Sequence, residues 1–175
     1  PINITKGIRH VMKTEVVIIG GGPSGLLLSQ LLNRAGVDTV ILERTSRKRV
    51  LDRIRAGVLE SGTVQLLREA GVGDRMDREG IPHEGCYLTD DDLMVRINFH
   101  ELTGKKVMVY GQTEVTADLY GSQDAMGTRI IHGVEDVVIN DVTTDTPYVE
   151  YTVDGERQRI DCQFAPRLCT GVDAQ

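Results

Sequence analysis

The chain has 175 residues, of which 40% are hydrophobic and 26% are charged. This is the composition of a globular protein of about one domain, and it excludes a disordered or collagen-like chain. The 20 basic and 26 acidic residues give a formal net charge of −6, which argues against nucleic acid or an anionic membrane as the main partner. The longest apolar runs are too short to span a bilayer.

The cysteines and the first residues indicate a cytoplasmic protein. Cys86, Cys162 and Cys169 are widely spaced and include no CxxC pair, so neither a disulfide framework nor a zinc site is expected. Residues 1–11 lack the apolar segment of a signal peptide. Because Met12 stands just before the first predicted strand, we interpret residues 1–11 as an extension ahead of the native start.

The first elements along the chain form a βαβ unit. Residues 15–20 are a continuous apolar run ending in glycine, which is typical of a parallel strand buried on both faces. Residues 26–34 carry a helical apolar face that ends at Ala35-Gly36, and residues 39–42 are a second apolar strand. The unit spans about 30 residues, and its crossover should be right-handed.

The remaining segments are predicted to add two helices and several strands. Residues 44–55 are a basic stretch and residues 56–70 have the pattern of a helix. Two strands within residues 86–99 should meet at a turn over Asp90-Asp91-Asp92. The pattern then predicts a strand, a helix with Thr113 as its N-cap, and three strands, of which the last two form a hairpin at Asp154-Gly155; these are residues 107–110, 113–125, 129–139, 148–153 and 156–162.

The prediction is therefore an α/β fold. It has a Rossmann-like parallel core with added antiparallel strands, forming one domain over residues 12–162. Residues 163–175 contain Pro166 and Gly171 with no periodicity, and we interpret them as an irregular tail.

The strongest local motif is Gly20-x-Gly22-x-x-Gly25, which follows a strand and opens a helix. Gly20 allows a tight turn, Gly22 lets the backbone approach a pyrophosphate, and Gly25 lets helix and strand pack closely. The helix N-terminus adds free N–H groups for the phosphates, and the hydroxyl of Ser24 is a further donor. The alternative is a glycine-rich turn without a ligand.

An acidic residue stands where a dinucleotide site needs one. Glu43 ends the second strand, 18 residues past Gly25, close to the spacing of about 20 expected for a residue that binds a ribose hydroxyl. Its carboxylate would repel a 2′-phosphate, so this pocket should prefer FAD or NAD over NADP. The alternative is a surface acid at a strand end.

Basic and amide side chains could complete the site. Arg53 and Arg55 precede a predicted helix and could bind the same phosphates, since guanidinium groups donate two hydrogen bonds at once. Gln112 lies between a strand and a helix. Arg44 belongs to a basic group with Arg47, Lys48 and Arg49, which either is a solvated face or docks a phosphorylated cosubstrate.

Metal and nucleophilic chemistry have no candidate residues. The four histidines show no metal-ligand spacing, and no Ser/His/Asp or Cys/His arrangement stands out. We therefore predict neither a metal site nor a catalytic residue. The two phenylalanines and the absence of tryptophan also argue against a base-stacking platform for nucleic acid.

Several longer strings resemble one enzyme family. They are residues 12–28, Ile41-Leu-Glu-Arg44, Arg53-Ile-Arg-Ala-Gly-Val-Leu-Glu60, residues 66–71, His83-Glu-Gly85 and Val109-Tyr-Gly-Gln-Thr-Glu-Val-Thr116. Together they resemble the 4-hydroxybenzoate 3-monooxygenases, which are group A flavoprotein hydroxylases. The resemblance runs from Met12 to about Cys162.

The resemblance implies a function and a set of cofactor contacts. The family uses FAD, NADPH and O2 to convert 4-hydroxybenzoate to 3,4-dihydroxybenzoate, and the full-length enzyme is expected to be a homodimer. By position, the glycine turn with Ser24 would hold the FAD pyrophosphate and Glu43 the adenosine ribose. The other implied FAD contacts are Arg44, Arg53, Ile54, Arg55, Ala56, Gly57, Val58 and Gln112.

The resemblance stops after Phe164. The family's next Asp-Gly motif is not matched, and the family continues with the part that holds most of the substrate site. We therefore expect this chain to be inactive alone, and we hypothesise a shifted reading frame or a partial gene. Two alternatives stay open: a fragment of an NAD-binding dehydrogenase, and a non-catalytic product of a truncated or frameshifted gene.

Overall fold

The computed structural model describes residues 11–165. The strands there are β1 Val11–Lys13, β2 Val16–Ile19, β3 Thr39–Glu43, β4 Val58–Leu59, β5 Ile81–His83, β6 Gly85–Asp90, β7 Leu93–Asn98, β8 Val107–Val109, β9 Arg129–His132, β10 Glu135–Asn140, β11 Tyr148–Val153 and β12 Glu156–Asp161. The helices are α1 Pro23–Arg34, α2 Arg47–Leu51, α3 Ser61–Glu69, α4 Asp74–Glu79, α5 Phe99–Thr103 and α6 Gln112–Met126.

A parallel three-stranded sheet forms the centre of the fold, in the order β2-β3-β9. Apart from Glu43, strands β2 and β3 consist of β-branched residues and leucine, and β3 is buried along its whole length. Helix α1 connects β2 to β3 and packs beside α6. The predicted α/β class and the βαβ unit are confirmed.

The two faces of this sheet bury different neighbours, because alternate residues of a strand point to opposite sides. Ile18 and Ile41 pack with the helical side chains Leu26 and Leu119. Val17, Val40 and Leu42 instead pack on the other face, against Val149 and Ile160 of a second sheet. The central sheet is therefore a layer between helices and a second sheet, which is how a buried parallel sheet is normally covered.

The second sheet has four strands in the order β1-β12-β11-β10. The predicted hairpin between β11 and β12 is confirmed: Asp154 and Gly155 both have positive φ, 52° and 74°, as a two-residue type I′ turn requires.

Helices within residues 11–165 are all too short or too polar to cross a membrane.

Two smaller sheets, β4-β8-β5 and the hairpin β6-β7, complete the described fold. The hairpin confirms the two strands predicted within residues 86–99. Several of its large apolar side chains are exposed, namely Tyr87, Leu88, Leu93, Met94 and Val95. An exposed apolar cluster of this kind is unusual for a protein surface.

Three predicted elements differ from the structure. The helix predicted over residues 56–70 starts only at Ser61, because Val58 and Leu59 pair with β8. Helix α6 begins at Gln112 with Gly111 as its N-cap, so the prediction of Thr113 as the cap was wrong. The strand predicted over residues 129–139 is divided between β9 and β10, since Gly133 turns the chain with φ 73°.

Paired backbone is also present just outside both ends of the predicted domain. Val11 belongs to β1 and pairs with Arg159, so the structure continues one residue ahead of Met12. The predicted irregular tail begins as paired backbone, because Phe164 bridges to Val16 and its carbonyl accepts a 2.9 Å hydrogen bond from Val17 N. The rest of that tail, residues 166–175, and most of the predicted N-terminal extension, residues 1–10, lie outside the described residues.

Candidate cofactor site

A cleft of about 740 Å³ lies at the carboxyl ends of β2 and β3, the usual position of ligands on parallel sheets. Its volume is within the range of about 300–1,000 Å³ that is common for small-molecule sites. It is lined by Ile19, Gly20, Gly22, Pro23, Leu42, Glu43, Arg44, Val50, Arg53, Arg55, Gln112, Thr113, Thr116 and residues 134–139. One cleft is therefore lined by residues that were predicted from four separate segments: the glycines of the turn, the acid Glu43, the arginines and Gln112.

The glycine turn has the geometry that its motif predicts. Gly20 has φ 120°, which favours glycine, and its amide is fixed by a 2.8 Å hydrogen bond to Leu42 O. A Cβ on Gly25 would lie 1.9 Å from Gly20 O, so the strand and helix α1 could not approach so closely with any other residue.

The N-terminus of α1 is available to an anion. Its N-cap is Gly22, no side chain caps it, and Pro23 occupies the first turn, where its missing N–H costs no helical hydrogen bond. Ser24 is exposed in the same turn. The amides of this turn and the positive end of the helix dipole can therefore bind phosphate oxygens.

Glu43 is held from two sides. Its Oε2 accepts a 2.7 Å hydrogen bond from Gly21 N, and its Oε1 accepts hydrogen bonds from Thr45 N at 2.9 Å and Thr45 Oγ1 at 2.7 Å. A carboxylate has about four acceptor positions, so these three donors leave about one for a ligand hydroxyl. The side chain is only 9% exposed, and that surface faces the cleft.

The arginine segment is positioned by the start of α6. Thr113 Oγ1 donates to Arg53 O at 3.3 Å, and Tyr110 N donates to Gly57 O at 2.7 Å. These bonds fix the segment that carries Arg53 and Arg55, and both arginines line the cleft together with Gln112 and the glycine turn. Guanidinium groups at that position complement a pyrophosphate electrostatically.

Six predicted contacts do not line the cleft. Ile54 is 95% exposed and Val58 59% exposed, while Ala56 is exposed. Gly57 faces the backbone of Tyr110 and Gly111. Gly25 and Ser24 are likewise absent from the lining, the first because it forms the turn. A direct role in flavin binding for Ile54, Ala56, Gly57 and Val58 stays a prediction.

Sequence reasoning missed one wall of the cleft and the support under Glu43. Residues 134–139 of the second sheet form the wall, with Glu135 and Asp136 among them. Beneath Glu43 lie Tyr120 and His132, whose rings stack 5.9 Å apart. Burial, and next the negative charge of Glu43, raise the pKa of Tyr120 to about 12, so its hydroxyl is a proton donor at neutral pH.

These residues fit an adenine dinucleotide such as FAD. Its pyrophosphate suits the uncapped helix N-terminus and the arginine pair, and its ribose suits the remaining acceptor position of Glu43. Ile19, Leu42 and Val50 supply apolar walls for the aromatic parts. Among residues 11–165, no group of three or more His, Cys, Asp or Glu could hold a metal ion.

Comparisons with known proteins identify the family of this chain. Residues 13–165 match the family described as FAD binding domain. The chain is 44% identical over 156 residues to p-hydroxybenzoate hydroxylase of Acinetobacter baylyi, a match covering 89% of this chain and 38% of that protein. The chain thus spans well under half the length of this relative.

Solved structures show the same fold. The OxyS anhydrotetracycline hydroxylase from Streptomyces rimosus superimposes with a TM-score of 0.74 at 25% identity, over 89% of this chain and 31% of that one. The p-nitrophenol 4-monooxygenase PnpA from Pseudomonas putida gives the same TM-score at 20% identity, over 90% and 41% of the two chains. Because that family model matches residues 13–165, this chain belongs to the FAD binding domain family, and FAD is the cofactor that its glycine turn, acid and arginine pair surround.

Proposed function

We propose that this chain is the FAD-binding part of an NADPH-dependent hydroxylase that converts 4-hydroxybenzoate to 3,4-dihydroxybenzoate. The observation that carries the proposal is the convergence of Gly22, Glu43 and Arg55 on one cleft, in a chain 44% identical to a p-hydroxybenzoate hydroxylase. The match of residues 13–165 to an FAD-binding family favours this proposal over a fragment of an NAD-linked dehydrogenase.

Each group in the cleft has a definite task. The amides after Gly22 and the guanidinium groups of Arg53 and Arg55 bind the pyrophosphate, and Glu43 binds the adenosine ribose. The apolar wall excludes water from the aromatic rings. When bound, FAD supplies the redox chemistry with reduced nicotinamide and O2, while the protein positions it.

The reductant is NADPH in this proposal, and it binds outside the ribose site of FAD. The carboxylate of Glu43 would repel the 2′-phosphate of NADPH. The basic side chains of α2, among them Lys48 and Arg49, offer positive charge at the protein surface instead. The substrate 4-hydroxybenzoate and the homodimer are proposed for a protein of the relatives' full length.

FAD binding tests the foundation of the proposal. Purified chain titrated with FAD should quench flavin fluorescence and retain the flavin on gel filtration. Gly21→Ala should weaken this binding by about tenfold or more, because the added Cβ would lie 2.8 Å from Glu43 Cβ and displace the carboxylate. The displaced carboxylate would lose its hydrogen bond to the ribose, and a hydrogen bond to a charged group changes affinity by about that factor.

Gly121→Ala is the matched control. This glycine lies in α6 with no atom within 4 Å of an added Cβ, so FAD affinity should not change. A folded wild-type chain that binds no FAD, or a Gly21→Ala variant that binds it as well as wild type, contradicts the proposed site.

The hydroxylation step needs a longer protein. Residues 12–165 can replace the matching segment of the Acinetobacter enzyme, and the chimera can be assayed for 3,4-dihydroxybenzoate with NADPH and with NADH. We expect product formation that depends on 4-hydroxybenzoate and is faster with NADPH. A chimera that retains FAD but forms no product with either nicotinamide would contradict the proposed activity.

A further inference from the structure

A closed set of contacts surrounds the carboxylate of Glu43. Tyr120 Oη donates to Gly21 O at 3.2 Å, and Gly21 N donates to Glu43 Oε2 at 2.7 Å. On the other side, Thr45 N donates to Glu43 Oε1 at 2.9 Å, and Thr45 O lies 2.9 Å from His132 Nδ1. The stacked rings of Tyr120 and His132 close the ring of contacts.

The direction of each hydrogen bond follows from the groups present. A carbonyl oxygen only accepts, so the proton at the contact with Thr45 O belongs to Nδ1 of His132. Tyr120 likewise must donate to Gly21 O, and its raised pKa keeps its hydroxyl protonated. Both aromatic residues therefore donate a hydrogen bond to the carbonyl of a residue, Gly21 or Thr45, whose own backbone N–H binds Glu43.

The aromatic pair is itself fixed in place. Tyr120 is fully buried, and the guanidinium of Arg47 lies 4.5 Å from the centre of its ring. Arg47 also pairs with Asp124 of α6 at 2.7 Å. His132 is fixed by strand pairing, since it lies opposite Glu43 in the parallel register of β3 and β9.

We propose that Tyr120 and His132 are positioning residues that hold the Glu43 carboxylate in the orientation in which it binds the ribose hydroxyls of the cofactor. The inference rests on the proposed function, because it needs an adenine dinucleotide in the cleft. Neither residue lines the cleft, so both act through Gly21 and Thr45, to whose carbonyls they donate hydrogen bonds.

The probe is the pair ADP and 2′,3′-dideoxy-ADP, which differ only in the ribose hydroxyls. Their affinities for the full chain are measured by displacement of FAD. Wild type should prefer ADP by about tenfold, the effect of a hydrogen bond to a charged acceptor. Tyr120→Phe and His132→Phe keep an aromatic ring but lose one hydrogen bond each, and both should reduce this preference below about threefold.

The ratio of the affinity for ADP to that for 2′,3′-dideoxy-ADP distinguishes a positioning role from a general structural role. A variant that is merely less well packed would lose affinity for both nucleotides equally and keep the wild-type ratio. Tyr151→Phe is the matched control, because Tyr151 is 3% exposed but packs in the other core cluster; its ratio should equal that of wild type. Circular dichroism checks that each variant is folded, and the two variants report independently.

The outcomes distinguish this inference from the proposed function. A folded wild-type chain that binds neither FAD nor ADP refutes the proposed function and the inference together. FAD binding combined with the wild-type ratio in a folded Tyr120→Phe or His132→Phe variant refutes the inference for that residue alone. Loss of the ratio in both variants, with FAD still bound, supports it.

Discussion

Gly57 is a position where a single methyl group should be measurably harmful. A Cβ built on this residue would lie 2.6 Å from Gly111 Cα, 2.8 Å from Tyr110 O and 2.9 Å from Gly111 N. All three atoms belong to the backbone, so no flexible side chain can move aside. The Gly57 carbonyl also accepts the 2.7 Å hydrogen bond from Tyr110 N, which ties the two segments together.

We expect Gly57→Ala to lower the free energy of unfolding by about 1–3 kcal/mol, the usual cost of overpacking a close contact. For a chain of this size, that corresponds to a fall of roughly 2–12 °C in Tm. Gly121→Ala is the control: its added methyl group meets nothing within 4 Å inside α6, and alanine in a helix interior should raise the unfolding free energy by about 0.5–1 kcal/mol.

Urea denaturation followed by circular dichroism measures both variants against wild type. Opposite shifts of the two midpoints, at unchanged m-value, are the expected result. The close-contact argument is wrong if Gly57→Ala is as stable as wild type. A loss of stability in Gly121→Ala as large as that in Gly57→Ala would refute it equally, since the chemical change is the same at both positions.

Two further predictions concern titratable side chains. The pKa of Tyr120 is raised to about 12, whereas an unfolded tyrosine ionises near 10. The protonated hydroxyl therefore contributes fully to the unfolding free energy below pH 10, and this contribution is lost as pH rises towards 12. Tyr120→Phe should flatten the fall in unfolding free energy over that interval. Denaturation at several pH values checks this, and an unchanged slope contradicts it. Cys86 is exposed, whereas burial raises the pKa of the Cys162 thiol. Native alkylation mapped by mass spectrometry should therefore label Cys86 well before Cys162, and equal labelling would show that Cys162 is accessible.

The βαβ core and its motif residues could be predicted because their signals are local. The apolar runs of β2 and β3, the glycine turn between them and Glu43 at the end of β3 lie within about 30 residues of sequence. Each of these features depends on steric demands that only particular residues meet, such as the 1.9 Å approach to Gly20 O at Gly25. The structure therefore places them as the sequence predicts.

The boundaries that failed depend on contacts between distant segments. Residues 56–70 have a helical pattern, yet Val58 and Leu59 pair with β8, about 50 residues further along the chain. The close approach of Gly57 to the backbone of Gly111 joins segments that are equally distant in sequence. No periodicity in either segment reports that pairing, so tertiary structure overrides local propensity there.

The cleft wall and the residues that support Glu43 also depend on contacts between distant segments, which the local sequence does not report. Residues 134–139 were read as strand, but the sequence does not say that the second sheet would bring this strand over the carboxyl ends of β2 and β3. Tyr120 lies 77 residues from Glu43 in sequence and belongs to no motif, although its hydroxyl donates to the carbonyl of Gly21, the residue whose N–H binds the carboxylate. A dinucleotide motif thus predicts which groups touch the ligand, whereas the groups that fix their orientation are set by helix and strand packing. Variation at positions such as Tyr120 and His132 can therefore alter ribose recognition while the motif itself stays intact.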